Sequence, residues 1–133
     1  MINIKTVLIA DDSSMARTFI IRCLEMAGLD NATFLIAQNG REALEVLLSN
    51  PVDLIVSDIN MPEMDGRDLL KRIKSSPRLY NTPVVVVTSS YNLTKKKEFL
   101  ELGAFNILKK PISLPELSET LIELSGEVEW NLG

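Results

Sequence analysis

Five short aliphatic and β-branched runs recur along this 133-residue chain, at residues 6–10, 33–37, 54–57, 84–87 and, more weakly, 106–108. Each is continuously apolar where a half-solvated strand would alternate, so the pattern predicts strands covered on both faces. Segments of helical periodicity separate them at the spacing of βαβ units. A chain built this way is expected to be an α/β protein, a five-stranded doubly wound parallel sheet with five helices on both faces. At this length a single domain with a proper core is the simplest outcome.

The helices are predicted over residues 14–27, 41–49, 67–75, 93–102 and 114–124. In the first, Phe19, Ile20, Cys23, Leu24 and Ala27 share the core-facing spacing, and Gly28 supplies the stop. The second is entered through Asn39 and Gly40 and ends near Pro51. The third turns Leu69, Leu70 and Ile73 inward. The fourth stops at Gly103, and Pro115 takes a permitted first-turn position in the fifth. The domain is expected over residues 1–125, with an acidic tail at 126–133 that carries Trp130.

A content of 46% hydrophobic and 24% charged residues is that of a soluble globular protein, and the net charge of −4 argues against the basic face that duplex DNA requires. No apolar stretch approaches the ~20 residues of a membrane-spanning helix. Met1 leads through Lys5 into the first strand without a signal-peptide core. The expectation is a cytoplasmic chain with no membrane insertion. The single Cys23 has no internal disulfide partner and reads as a buried packing residue. Histidine is absent, which removes the commonest general base and transition-metal ligand. Chemistry here must run on carboxylates, hydroxyls, lysine or a hard metal.

Polar residues close the apolar runs. Asp11 and Asp12 end the first, Asp58 the third and Thr88 the fourth, while Lys110 and Pro111 follow the fifth. In a parallel sheet these positions converge on one crevice at the carboxyl ends of the strands, where such sheets bind ligands. Taken singly, each residue has a plain reading: the acids cap helices, Thr88 satisfies local backbone, and Lys110 is a surface lysine. Their coincidence at successive strand ends favours a shared site. Carboxylates this close either retain a proton or admit a cation, and a hard divalent ion, Mg²⁺ in cells, suits oxygen ligands. An aspartate in such a site can be the nucleophile of phosphoryl transfer, with Lys110 and Thr88 contacting phosphoryl oxygens.

The segment Ser57-Asp58-Ile59-Asn60-Met61-Pro62-Glu63-Met64-Asp65-Gly66, together with Asp11, Asp12, Thr88, Lys110 and Pro111, resembles the signature of response-regulator receiver domains (CheY-like) of two-component phosphorelay signalling. The likeness spans about residues 5–125. It implies a flavodoxin-like strand order of 2-1-3-4-5. It also implies that Asp58 is phosphorylated, and that Asp12, Asp58 and the Asn60 backbone carbonyl ligate Mg²⁺ with Asp11 acting mostly through water. Lys110 would contact the phosphoryl group, Thr88 would move toward it, and the bond before Pro111 would be cis. The implied function is a phosphoacceptor switch that is not an enzyme beyond promoting its own phosphorylation and dephosphorylation. The donor would be a phosphohistidine on a sensor histidine kinase or a histidine phosphotransfer protein, docking on the first helix with Met15, Arg17 and Thr18 outward. Output would pass to a downstream protein through the fourth helix, fifth strand and fifth helix, with no nucleic acid bound by this chain.

One position departs from the family pattern. Many receivers carry Tyr or Phe three residues before the lysine, where this chain has Ile107. Movement of Thr88 and of the fourth helix is then expected to carry the switch, with Phe105 as a substitute ring. Asn60 and Ser90 flank the expected path of the hydrolytic water. Lys95, Lys96 and Lys97 give the start of the fourth helix a basic patch that reads first as a solvated face. With Ile59 after Asp58 and the sole tryptophan at Trp130, Mg²⁺ is expected to perturb tryptophan fluorescence little. Two other classes compete. A haloacid-dehalogenase-like aspartyl phosphatase wants Asp-x-Asp after the first strand, where Asp11-Asp12-Ser13 stands. A nucleotide or flavin module wants a glycine-rich phosphate loop there, and none is present.

Overall fold

The first apolar run forms β1 (Thr6–Ala10), and the others form β2 (Thr33–Ala37), β3 (Leu54–Asp58), β4 (Val84–Thr88) and β5 (Asn106–Lys109) in a computed structural model that describes residues 3–126. All pair in parallel in the order β2-β1-β3-β4-β5. The helices between them are α1 (Ser14–Leu24), α2 (Gly40–Ser49), α3 (Gly66–Lys74), α4 (Leu93–Glu101) and α5 (Leu114–Ser125). Beyond Gly126 the predicted tail, with Trp130, lies outside the described residues.

Period-two geometry divides each apolar run between two cores. Val7, Ile9, Val85, Val87 and Leu108 pack on one face against Ile20, Cys23 and Leu24 of α1 and Leu117 and Leu121 of α5. Leu8, Ile55, Val86 and Ile107 pack on the other against Leu47 of α2, Leu69, Leu70 and Ile73 of α3 and Phe99 of α4. A polar side chain opens every helix. Ser13, Asn39, Asp65, Asn92 and Ser113 each accept the backbone N–H three residues on, satisfying donors that the first turn leaves orphaned.

Two expectations change, and the Gly28 stop holds with a local difference in the turn before it. Burial on both faces holds in full for β3 and β4, but β2 is an edge strand with Thr33 and Ile36 exposed. The first helix passes from α1 into a wider turn, Glu25–Leu29, and its helical course is broken at the predicted stop, where Gly28 takes a non-helical φ of 114° and Leu29 beyond it is buried. Phe19 is 48% exposed, because the inward stripe of α1 is narrow and centres on Ile20, Cys23 and Leu24. Phe19 instead shares the outer face with Met15 and Met26, one and two-odd turns away.

Depth in the sheet sets the cost of truncation. Leu8→Ala, at a fully buried central position, is expected to cost about 2–5 kcal/mol. Ile36→Ala on the half-exposed edge should cost under about 1 kcal/mol. Urea denaturation midpoints at constant m-value check both.

Candidate functional site

The strand register carries the polar residues to one edge of the sheet. Ala10 lies beside Ser57, Asp58 beside Val87 and Thr88 beside Lys109, so Asp11, Asp58, Thr88 and Lys110 end adjacent strands at one level. From β1 the chain turns to α1 on one face, and from β3 to α3 on the other. The crevice between those diverging loops is where an open parallel sheet offers a site.

Asp11 is buried and held on every side. Its N–H donates to the Ala37 carbonyl at 3.0 Å, Oδ1 accepts the Ser13 N–H at 3.0 Å, and Oδ2 accepts Lys110 Nζ at 2.7 Å. Its carbonyl accepts Arg17 Nη1 at 2.6 Å. Sequence reasoning placed Arg17 outward; the side chain instead curls back over the loop that carries both acids. Asp12 is exposed, with its carboxylate free to reach the crevice. Asp58 is buried, with Oδ1 accepting the Ile59 N–H at 2.8 Å and Oδ2 lying 3.5 Å from Lys110 Nζ. One oxygen from each of Asp11, Asp12 and Asp58 falls within a 4.8 Å cluster, a donor set that fits a hard divalent cation.

Thr88 is fully buried and its hydroxyl accepts the Ser90 N–H at 3.0 Å, so it is engaged with its own loop and not with Asp58. Asn60 is exposed beside the crevice, and Lys110–Pro111 is a cis bond. Behind Asp58 the loop to α3 folds tightly: the Gly66 N–H donates to the Ile59 carbonyl at 2.7 Å, and a Cβ on Gly66 would fall 2.1 Å from the Asp58 carbonyl oxygen. Glycine at the end of the motif is therefore required by close backbone approach. Beside the site an open groove of about 530 Å³ runs between Met15 and Phe19 of α1 and Pro111 and Ile112.

Electrostatics follow from burial. Desolvation pushes the Asp58 carboxyl above its ordinary value, assisted by the Asp11 charge and opposed by Lys110 and by the Ile59 N–H. For Lys110 burial alone would lower the ammonium, but the hydrogen bond to Asp11 and the charges of Asp58 and Asp11 outweigh it and hold it above its ordinary value. A raised carboxyl binds its proton more tightly in the folded chain than in the unfolded one. Ionised Asp58 thus costs stability above its folded pKa, and the cost disappears as pH falls through the unfolded value. Asp58→Asn should accordingly raise the melting temperature of the metal-free protein by a few degrees at neutral pH. Differential scanning calorimetry in EDTA should show the gain shrinking as the buffer is acidified.

The pattern of the family described as "Response regulator receiver domain" matches residues 7–122. A two-component response regulator of Oryza sativa subsp. indica, ORR3, is 42% identical over 113 residues, 84% of either chain. The DNA-binding transcriptional regulator NtrC of Escherichia coli is 40% identical over 110 residues, 83% of this chain but 22% of that one. Among solved structures, the chemotaxis response regulator CheY4 of Vibrio cholerae superposes with a TM-score of 0.75 at 32% identity, covering 95% of this chain and 99% of that one. None of these supports the phosphatase alternative. No described helix is long and apolar enough to cross a membrane.

Proposed function

Because the chain belongs to the response-regulator receiver domains of two-component signalling, a phosphoacceptor family and not a catalytic enzyme family as such, we propose that Asp58 is its phosphoacceptor. The observation that carries this is the disposition of the Asp58 carboxylate. One oxygen is fixed by the Ile59 N–H, and the other faces Lys110 at 3.5 Å beside two further carboxylates. The free oxygen attacks phosphorus, the bond from phosphorus to the donor's imidazole nitrogen breaks, and that nitrogen leaves with the electron pair and takes up a proton. The chain holds no histidine, so the donor is a partner, a sensor kinase or a histidine phosphotransfer protein.

Asp11, Asp12, Asp58 and the Asn60 carbonyl would hold Mg²⁺, which when bound neutralises charge building on the phosphoryl oxygens. Lys110 pairs with Asp11 and Asp58 in the resting site and is positioned to transfer its contacts to the phosphoryl group. Thr88, whose hydroxyl oxygen accepts the Ser90 N–H at rest, would turn to donate its O–H to a phosphoryl oxygen. The apolar groove formed with Met15, Phe19, Pro111 and Ile112 supports docking of the donor along α1, next to Asp58. Output runs through α4, β5 and α5. Ile107 is buried in the same cluster as Phe99, so movement of α4 and Thr88 replaces the swing of a ring. The receiver unit extends over residues 1–125, works in the cytoplasm and promotes its own phosphorylation and dephosphorylation.

Incubation with acetyl phosphate and Mg²⁺ tests this reading by intact mass and peptide mapping. We expect one alkali-labile phosphoryl group per chain on Asp58, none in Asp58→Asn, and slower labelling in Lys110→Ala and Thr88→Ala. Labelling that persists in Asp58→Asn, or catalytic turnover of small phosphate esters, would refute it. Structures with and without a phosphoryl mimic should differ at Thr88 and α4, and identity at both would refute the switching route.

A further inference from the structure

Movement of α4 needs a contact that joins it to the phosphoacceptor loop and that two conformations can treat differently. Arg67, the second residue of α3, supplies one. Its Nη2 donates to Glu98 Oε1 of α4 at 2.8 Å. Its guanidinium carbon also lies 5.3 Å from the ring centroid of Phe99, which is fully buried. One side chain thus holds α4 at two successive residues, by charge at the first and by the ring face at the second.

Arg67 is tied to the site through its neighbour. Gly66 is hydrogen-bonded to the Ile59 carbonyl at 2.7 Å and lies hard against the Asp58 carbonyl. A shift of backbone at Asp58 and Ile59 therefore carries Gly66, and with it the root of Arg67. The contact is also incomplete, because Arg67 Nε is buried with no hydrogen-bond partner. A buried donor left unsatisfied is penalised, and a displaced α4 would relieve the penalty by admitting an acceptor.

Resting on the reading of Asp58 as phosphoacceptor, we propose that Arg67 and Glu98 form a latch that holds α4 in its unphosphorylated position and opens when Asp58 is phosphorylated. Their side chains are 40% and 43% exposed, so the pair is weak enough for a modest change at the site to break it. Linkage then requires the converse: a broken latch favours occupancy of the site.

Beryllofluoride with Mg²⁺, a mimic of the phosphoryl group, is titrated into wild type, Arg67→Met, Glu98→Gln and the reversed pair Arg67→Glu/Glu98→Arg, with α4 amide NMR shifts followed alongside. Melting curves verify that each variant is folded, and Glu98→Gln is the conservative arm. We expect both single variants to bind the mimic about two- to fivefold more tightly. Their α4 shifts should already lie part-way toward the bound position without it, and the reversed pair should return both readings toward wild type. Equal affinity and unmoved α4 shifts across the set would overturn the latch and leave the receiver assignment intact. Failure of wild type to bind the mimic, or to be labelled on Asp58 by acetyl phosphate, would overturn both.

Discussion

One lysine ammonium is shared between two buried carboxylates at the edge of the sheet, and the neighbouring loops are arranged around that contact. Lys110 Nζ lies 2.7 Å from Asp11 and 3.5 Å from Asp58. Two acids and one base leave the balance negative, and burial raises the Asp58 carboxyl despite the lysine beside it. With Asp12, these two acids form a carboxylate cluster of the kind that could hold a metal ion.

The fold itself gathers this charge at one edge. Parallel strands buried on both faces cannot place charge along their length, so charge collects where they end. The β3–α3 loop then has to turn sharply at the back of Asp58, which Gly66 permits, and the turn brings Arg67 to α4. The Asp58 side of the crevice and the contact between α3 and α4 therefore share one short piece of backbone.

The strand positions were legible because continuous aliphatic runs have few alternatives, and the site was legible because each functional residue directly follows such a run. What was misread depended on neighbours. Phe19 has the spacing of a core residue, but the arc of α1 that meets the sheet is too narrow to include it. β2 has the composition of a strand covered on both faces, but its place at the edge of the expected strand order leaves Thr33 and Ile36 exposed. Arg17 was read as pointing outward because nothing in its helical spacing reports a carbonyl waiting at Asp11. Arg67 and Glu98 lie on different helices, 31 residues apart, and no local pattern links them.

By itself the sequence determined the βα alternation, the acids and lysine that close the strands, and the motif shared with receiver domains, because hydrophobic period and residue chemistry are local properties. Only the tertiary structure decided that Lys110 is shared between Asp11 and Asp58, that the Thr88 hydroxyl rests on the Ser90 N–H, and that Arg67 spans from α3 to α4. These are distances between residues remote in the chain. Such distances are fixed by the packing of helices on a twisted sheet, which depends on every side chain in the core at once.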